Sequence, residues 1–243
     1  MKSDRTNLWR LTVLLALLGA GILGGYVLRG VAGPAPSAAA AQGSAGALPK
    51  DVDPVSGFRL PLLKRDDLDD EGKKVYDTVA NPSSPGVAGL RGPDGVLLYN
   101  PHLSILNRDL NQYLRYGAGL KGSIRELAIL TVARELNSQL EWTTHEPNAR
   151  KEGLDPKIID VVKYRKSTQG LPEEEASVIQ MGRELFGQRA LTSKTYARAL
   201  KAFGPKPLVN IVFLMGNYCQ TATLIKAFDV HMREGTKLLL PMP

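Results

Sequence analysis

The segment Ile124 to Leu136 (IRELAILTVAREL) places the tightest limit on how this chain folds. Read as a helix opened by Ser123, it is apolar on nearly every side. Such a helix has no face for solvent and must be central to a core, walled in by other elements. Those elements also read as helices. Asp66 or Asp67 caps a helix through Lys73, Val75 and Val79 that stops near Asn81-Pro82. A Gly/Pro-rich loop, 82–95, comes next. Leu103, Leu106, Leu110 and Leu114 recur at spacings of three and four, an amphipathic helix over 103–116 that ends at Gly117 to Gly122. Asn137-Ser138 interrupts the central helix, and the next runs to about Glu152 with Gly153 as its stop. Asp155-Pro156 and Pro172 with Glu173, Glu174 and Glu175 open two more. Thr192 to Phe203 and the mostly apolar Leu208 to Arg233 complete the set. No alternating pattern of strand length appears, so 51–243 reads as one all-α domain. A domain of this size buries roughly 70% of its unfolded surface.

Ahead of the domain lie two segments of different character. Leu11 to Leu28 (LTVLLALLGAGILGGYVL) carries no charge over 18 residues, near the minimum for a membrane-spanning helix. The basic flank MKSDRTNLWR predicts a cytoplasmic N-terminus and export of the chain beyond Leu28. Residues 1–29 therefore read as a signal anchor, or as a signal peptide cleaved near Ala39-Ala40-Ala41. Residues 30–50 have the Ala/Gly/Pro/Ser composition of a linker. The domain is expected to be extracytoplasmic, in the periplasm or at the cell surface. It is tethered to the membrane through 11–28, or secreted if the signal is removed.

Composition removes several function classes. The 243 residues are 43% hydrophobic and 23% charged, as in ordinary globular proteins, which excludes a disordered chain and a polytopic membrane protein. The net charge of +7 is carried largely by the first 50 residues, and no basic stretch interleaved with aromatics suggests nucleic acid. A single cysteine, Cys219, excludes an internal disulfide and a Cys-pair redox centre within one chain. It lies in an apolar run, as a buried thiol does.

One group of residues has a spacing suited to chemistry. Ser138, Glu141 and His145 are separated by three and four, so a helix stacks them on one face. A carboxylate one turn before an imidazole favours the charged ring, which would make His145 a proton donor near neutral pH. A bend at Asn137-Ser138 could return Glu126 to the same place, with Trp142 as an apolar wall. Plainer readings stand beside this one: Ser123 and Glu126 as a capping box, Glu141 and His145 as a surface pair, and Trp142 as core. No HExxH or second close histidine supports a metal site, and no cofactor is expected. His102 reads as a loop histidine and His231 as part of the last helix.

Residues 125–154, RELAILTVARELNSQLEWTTHEPNARKEGL, resemble the signature of the carboxymuconolactone decarboxylase family. The resemblance extends more loosely over about 60–240, through the Gly92-Pro93 loop, LYNPHLS, FGPKPLVNIVFLMGNY and the closing AFDVH…LLLP. It implies an alkylhydroperoxidase-like fold of packed helices that assembles with itself as trimers or hexamers. The peroxidase branch of the family uses a Cys-x-x-Cys; those positions here are Ser138 and Glu141, so a dithiol peroxidase cannot operate. The decarboxylase branch implies a small lactone or carboxylic acid as ligand and loss of CO2. Glu126, Glu141 and His145 are then catalytic, with His145 the proton donor. Arg125, ahead of Arg134 and Arg150, offsets the substrate's charge, and Ser138 and Trp142 line its site. The alternatives are a non-catalytic binding module on the same fold, and peroxide reduction through Cys219.

Overall fold

The computed structural model describes residues 48–81 and 89–242; the expected membrane segment and most of the linker lie outside them. The described residues form nine α-helices and no strand. They are α1 (Asp70–Ala80), α2 (Pro93–Leu97), α3 (Pro101–Gln112), α4 (Gly122–Glu135), α5 (Gln139–Lys151), α6 (Pro156–Lys163), α7 (Glu173–Gly182), α8 (Ser193–Phe203) and α9 (Pro205–Ala227).

α4 is the central helix. Every residue from Ile124 to Arg134 is buried, and α5, α6, α7 and α9 pack around it. α7 packs closely on α4, where a Cβ on Gly182 would meet the Thr131 side chain. Leu127, Ile129, Leu130, Ile159, Ile179, Ile211 and Leu214 form the middle of the main core. α9 is the one helix among the described residues long and apolar enough to cross a membrane, yet its Leu208, Ile211, Leu214 and Met215 are core residues.

Most helix ends obey the expected chemistry. Asp155 accepts from the Lys157 amide at 2.8 Å with Pro156 in the first turn of α6, and Thr192 accepts from the Thr195 amide at 3.2 Å to cap α8. Gly153 takes a φ of +79° just past α5. Four expectations are corrected. Asp69 caps α1, accepting from the Gly72 amide at 2.7 Å, because Asp66 and Asp67 are used in a preceding 3-10 turn. Ser123 makes no capping box, since α4 starts at Gly122 and Glu126 points its carboxylate into the protein. α9 begins three residues early and stops at Ala227, so His231 lies beyond it, with Nε2 3.1 Å from Asp229. His102 sits in the first turn of α3 and is exposed beside Glu71.

A further difference concerns α3. Its leucine stripe faces outward: Leu103 and Leu106 are 43% and 55% exposed, and of the series only Leu114 is buried. The reason lies on the flank beside the stripe. Asn111 donates to Asn217 Oδ1 at 2.8 Å and Asn217 donates to Asn107 Oδ1 at 3.2 Å, so α3 docks on α9 through amides. α3 then runs into a π-helical turn, Tyr113–Gly117.

Candidate functional site

The turn between α4 and α5 assembles the site. Asn137 adopts a left-handed φ of 51° and the Ser138 amide donates to the Ala133 carbonyl at 2.8 Å, which reverses the chain. Asn is among the few side chains that accept this conformation readily. The reversal lays α5 along α4, and Glu126 Oε2 comes to 2.7 Å from His145 Nδ1, both groups buried.

Two guanidinium groups brace that carboxylate. Arg125 Nε donates to Glu126 Oε1 at 3.2 Å, and Arg115 Nη2 stands 3.7 Å from the same oxygen. Burial by itself would raise the Glu126 carboxyl, but the His145 bond and the two arginines hold it below its usual range. His145 is lowered because burial penalises its charged form more than Glu126 favours it, with Arg115 and Arg125 adding repulsion. The ring is therefore neutral beside an ionised carboxylate, Nδ1–H donates to Glu126, and Nε2 keeps a lone pair. This corrects the expectation of a charged, proton-donating His145.

Glu141 has the opposite character. It is 2% exposed, and neither carboxylate oxygen has a hydrogen-bond partner. Burial pushes its carboxyl up to about 8, against the weaker pull of the Lys226 charge and of the Ser138 hydroxyl, which lies near but makes no well-formed hydrogen bond to it. At neutral pH it holds its proton. The reading of Glu141 and His145 as a surface pair is overturned, since His145 is only 4% exposed.

Both residues line a cavity of about 440 Å³ bounded by α2, α3, α5 and α9 and by the π turn. Its polar lining includes Arg115, Arg108, Asp94, Asp109, Asn107 and Asn111, and its apolar lining Leu97, Leu140 and Leu224. The Tyr218 ring meets the His145 ring edge-on, with centroids 5.1 Å apart and planes at 88°. His145 lines the cavity and Glu126 does not, so the ring meets the cavity with atoms other than Nδ1. A base with a free lone pair and a buried acid that keeps its proton, in one cavity, is an arrangement able to move protons.

The other expected residues take different places. Trp142 is core, and its indole donates to Glu146 at 2.7 Å; Glu146 also pairs with Lys163 and Arg150. Ser138 is buried at the turn and is not part of the cavity wall. Arg125 is engaged by Glu126, by Glu152 at 2.8 Å and by the Arg115 carbonyl at 3.0 Å. Arg134 donates to the Pro241 carbonyl. The cavity instead takes Arg115, presented by the π turn, a feature frequent at functional sites and without a sequence signature. Cys219 is partly buried, and burial raises its thiol. Among the described residues, no group of three His, Cys, Asp or Glu side chains is placed to hold a metal ion. The chain matches no protein-family model and no curated protein.

Proposed function

We propose that the cavity beside His145 binds a small carboxylic acid or lactone and transfers a proton on it. The observation that carries this reading is the buried 2.7 Å Glu126–His145 bond beside Glu141, whose carboxyl has no partner of its own. Two ionisable groups of the cavity are pushed apart in acidity, His145 down and Glu141 up, which suits one to accept protons and the other to give them. Decarboxylation is the member of this class that the sequence resemblance implies. The bond to the departing carboxylate breaks, CO2 leaves, and the electron pair is conjugated into the lactone carbonyl. The Glu141 proton goes to carbon, and Glu141 is reprotonated from water with His145 Nε2 in the relay. Glu126 fixes the ring so that Nε2 is the free nitrogen.

The same reading places the domain outside the cytoplasm, held by residues 11–28, on an alkylhydroperoxidase-like arrangement of helices. It also has the chain associating with itself. Leu106 and Tyr113 on α3 and its π turn, and Val209 and Phe213 on α9, are exposed apolar side chains on elements that pack together.

The test is a thermal-shift series with small lactones and di- and tricarboxylic acids, His145→Ala alongside, and then CO2 release from any acid that binds. A ligand at about 100 times its dissociation constant stabilises by about 2.7 kcal/mol. A shift in the wild type, absent in the variant and accompanied by CO2, is the expected result. A folded protein that shifts with none of these ligands counts against the reading.

A further inference from the structure

We infer that Arg115 anchors a carboxylate of the ligand, and that the ligand's apolar part lies toward Leu97, Leu140 and Leu224. This rests on the reading of the cavity as the ligand site. Arg115 is 9% exposed and lines the cavity, and its Nε–H has no acceptor. Its nearest anion, Glu126, lies at 3.7 Å and is shared with Arg125 and His145. The guanidinium stands 5.0 Å from the Tyr116 ring centre, a contact that holds its plane without using its donors. A planar carboxylate is the group that fits an unfilled guanidinium edge.

The rest of the cavity selects the part of the ligand beyond its carboxylate. Tyr218 and Leu224 both line it from α9, and six residues at about 1.5 Å each separate them by roughly 9 Å. The Tyr218 end holds His145, while Leu140 belongs to the apolar cluster that includes Ile225, one residue past Leu224. Leu97 faces the same cavity from α2. Asp94 and Arg108 also line the cavity, from α2 and α3. The cavity therefore sets Arg115 beside His145, with apolar side chains toward the Leu224 end. A carboxylate carried on a short apolar body matches that order.

The experiment is calorimetric titration of the full chain with hexanoate and hexanamide. The wild type is expected to bind hexanoate at least tenfold more tightly than hexanamide. Arg115→Gln is expected to lower hexanoate to the level of hexanamide and to leave hexanamide unchanged. If Arg115→Gln does not fold, Arg115→Lys decides: weaker hexanoate with hexanamide unchanged supports the anchor, and an unchanged hexanoate affinity overturns it. A folded Arg115→Gln with wild-type affinity for hexanoate, or no hexanoate binding to the wild type, would each overturn it. Binding that depends on Arg115 with no proton transfer on any acid would instead defeat the proposed reaction and leave the anchor standing.

Discussion

Glu126 on α4 and His145 on α5, nineteen residues apart in sequence, meet at 2.7 Å with both side chains buried. A charged carboxylate against a neutral ring is stable there only because Arg115 and Arg125 supply counter-charge. Glu126→Gln leaves the buried Arg115 guanidinium without it, while Arg125 keeps Glu152 at 2.8 Å. The expected cost is about 3–5 kcal/mol, as for breaking a buried ion pair from one side, read as the urea midpoint at constant m-value.

Glu141 gives the domain a pH dependence of definite sign. Its folded value of about 8 lies above the ordinary 4.5, so between those values the folded state holds more protons and stability falls as pH rises. His145 works in the opposite sense: its lowered value makes stability rise with pH up to about 6.5, where the unfolded ring loses its charge. Between pH 6.5 and 8 only the Glu141 effect remains, with a slope of at most about 1.4 kcal/mol per pH unit. Urea melts across that window should show a decline in the wild type and a flat profile in Glu141→Gln.

Glu184 behaves as the reverse case and tests the packing of α7 on α8. Thr195 Oγ1 at 2.6 Å, the Thr192 amide at 2.8 Å and Gln180 at 3.0 Å satisfy its carboxylate, holding it down at about 2 despite the opposing effect of burial. The stability it supplies is present above 4.5 and is lost as pH falls through about 2. Thr195→Val removes the shortest donor. A loss of about 1–3 kcal/mol at pH 7 and an acid-unfolding midpoint at higher pH are expected.

The exposed face of α3 and α9 makes a prediction about association. Phe213 is 59% exposed and stands on the same outer side of α9 as Val209. Replacing Phe213 with Glu puts a charge where apolar side chains would be covered. Sedimentation velocity should show self-association in the wild type and its loss in Phe213→Glu, with helix content unchanged by circular dichroism. A monomeric wild type would remove the self-association proposal.

The sequence revealed the fold where local chemistry is decisive, and lost it where partners are distant. The apolar surround of Ile124 to Leu136, the Asp155-Pro156 start and the Gly153 stop all act within a turn or two, and the structure keeps them. The pairing of Glu126 with His145 was legible because Asn137-Ser138 marks a reversal and both residues lie a few turns from it. Burial was not legible. It reverses the expected effect on His145 and turns Glu141 from the neighbour that charges the ring into an acid that keeps its proton. Arg115 was missed for a similar reason, since a π turn has no spacing signature and the leucines around it suggest only an amphipathic helix. The outward stripe of α3 arises from Asn217, more than a hundred residues away, which claims the amide side of that helix for the interior.

The central claim is that a proton moves between the cavity and a bound acid. The most direct measurement is proton and carbon NMR of an acid that binds the cavity, incubated with the protein in D2O. Deuterium should appear at carbon in the product with wild-type protein. It should fall by on the order of 10²–10⁴ in rate with Glu141→Gln and with His145→Ala, both still folded and, for Glu141→Gln, still binding. A wild-type protein that holds the acid tightly and leaves every carbon–hydrogen position unlabelled, with no CO2 released, contradicts the account.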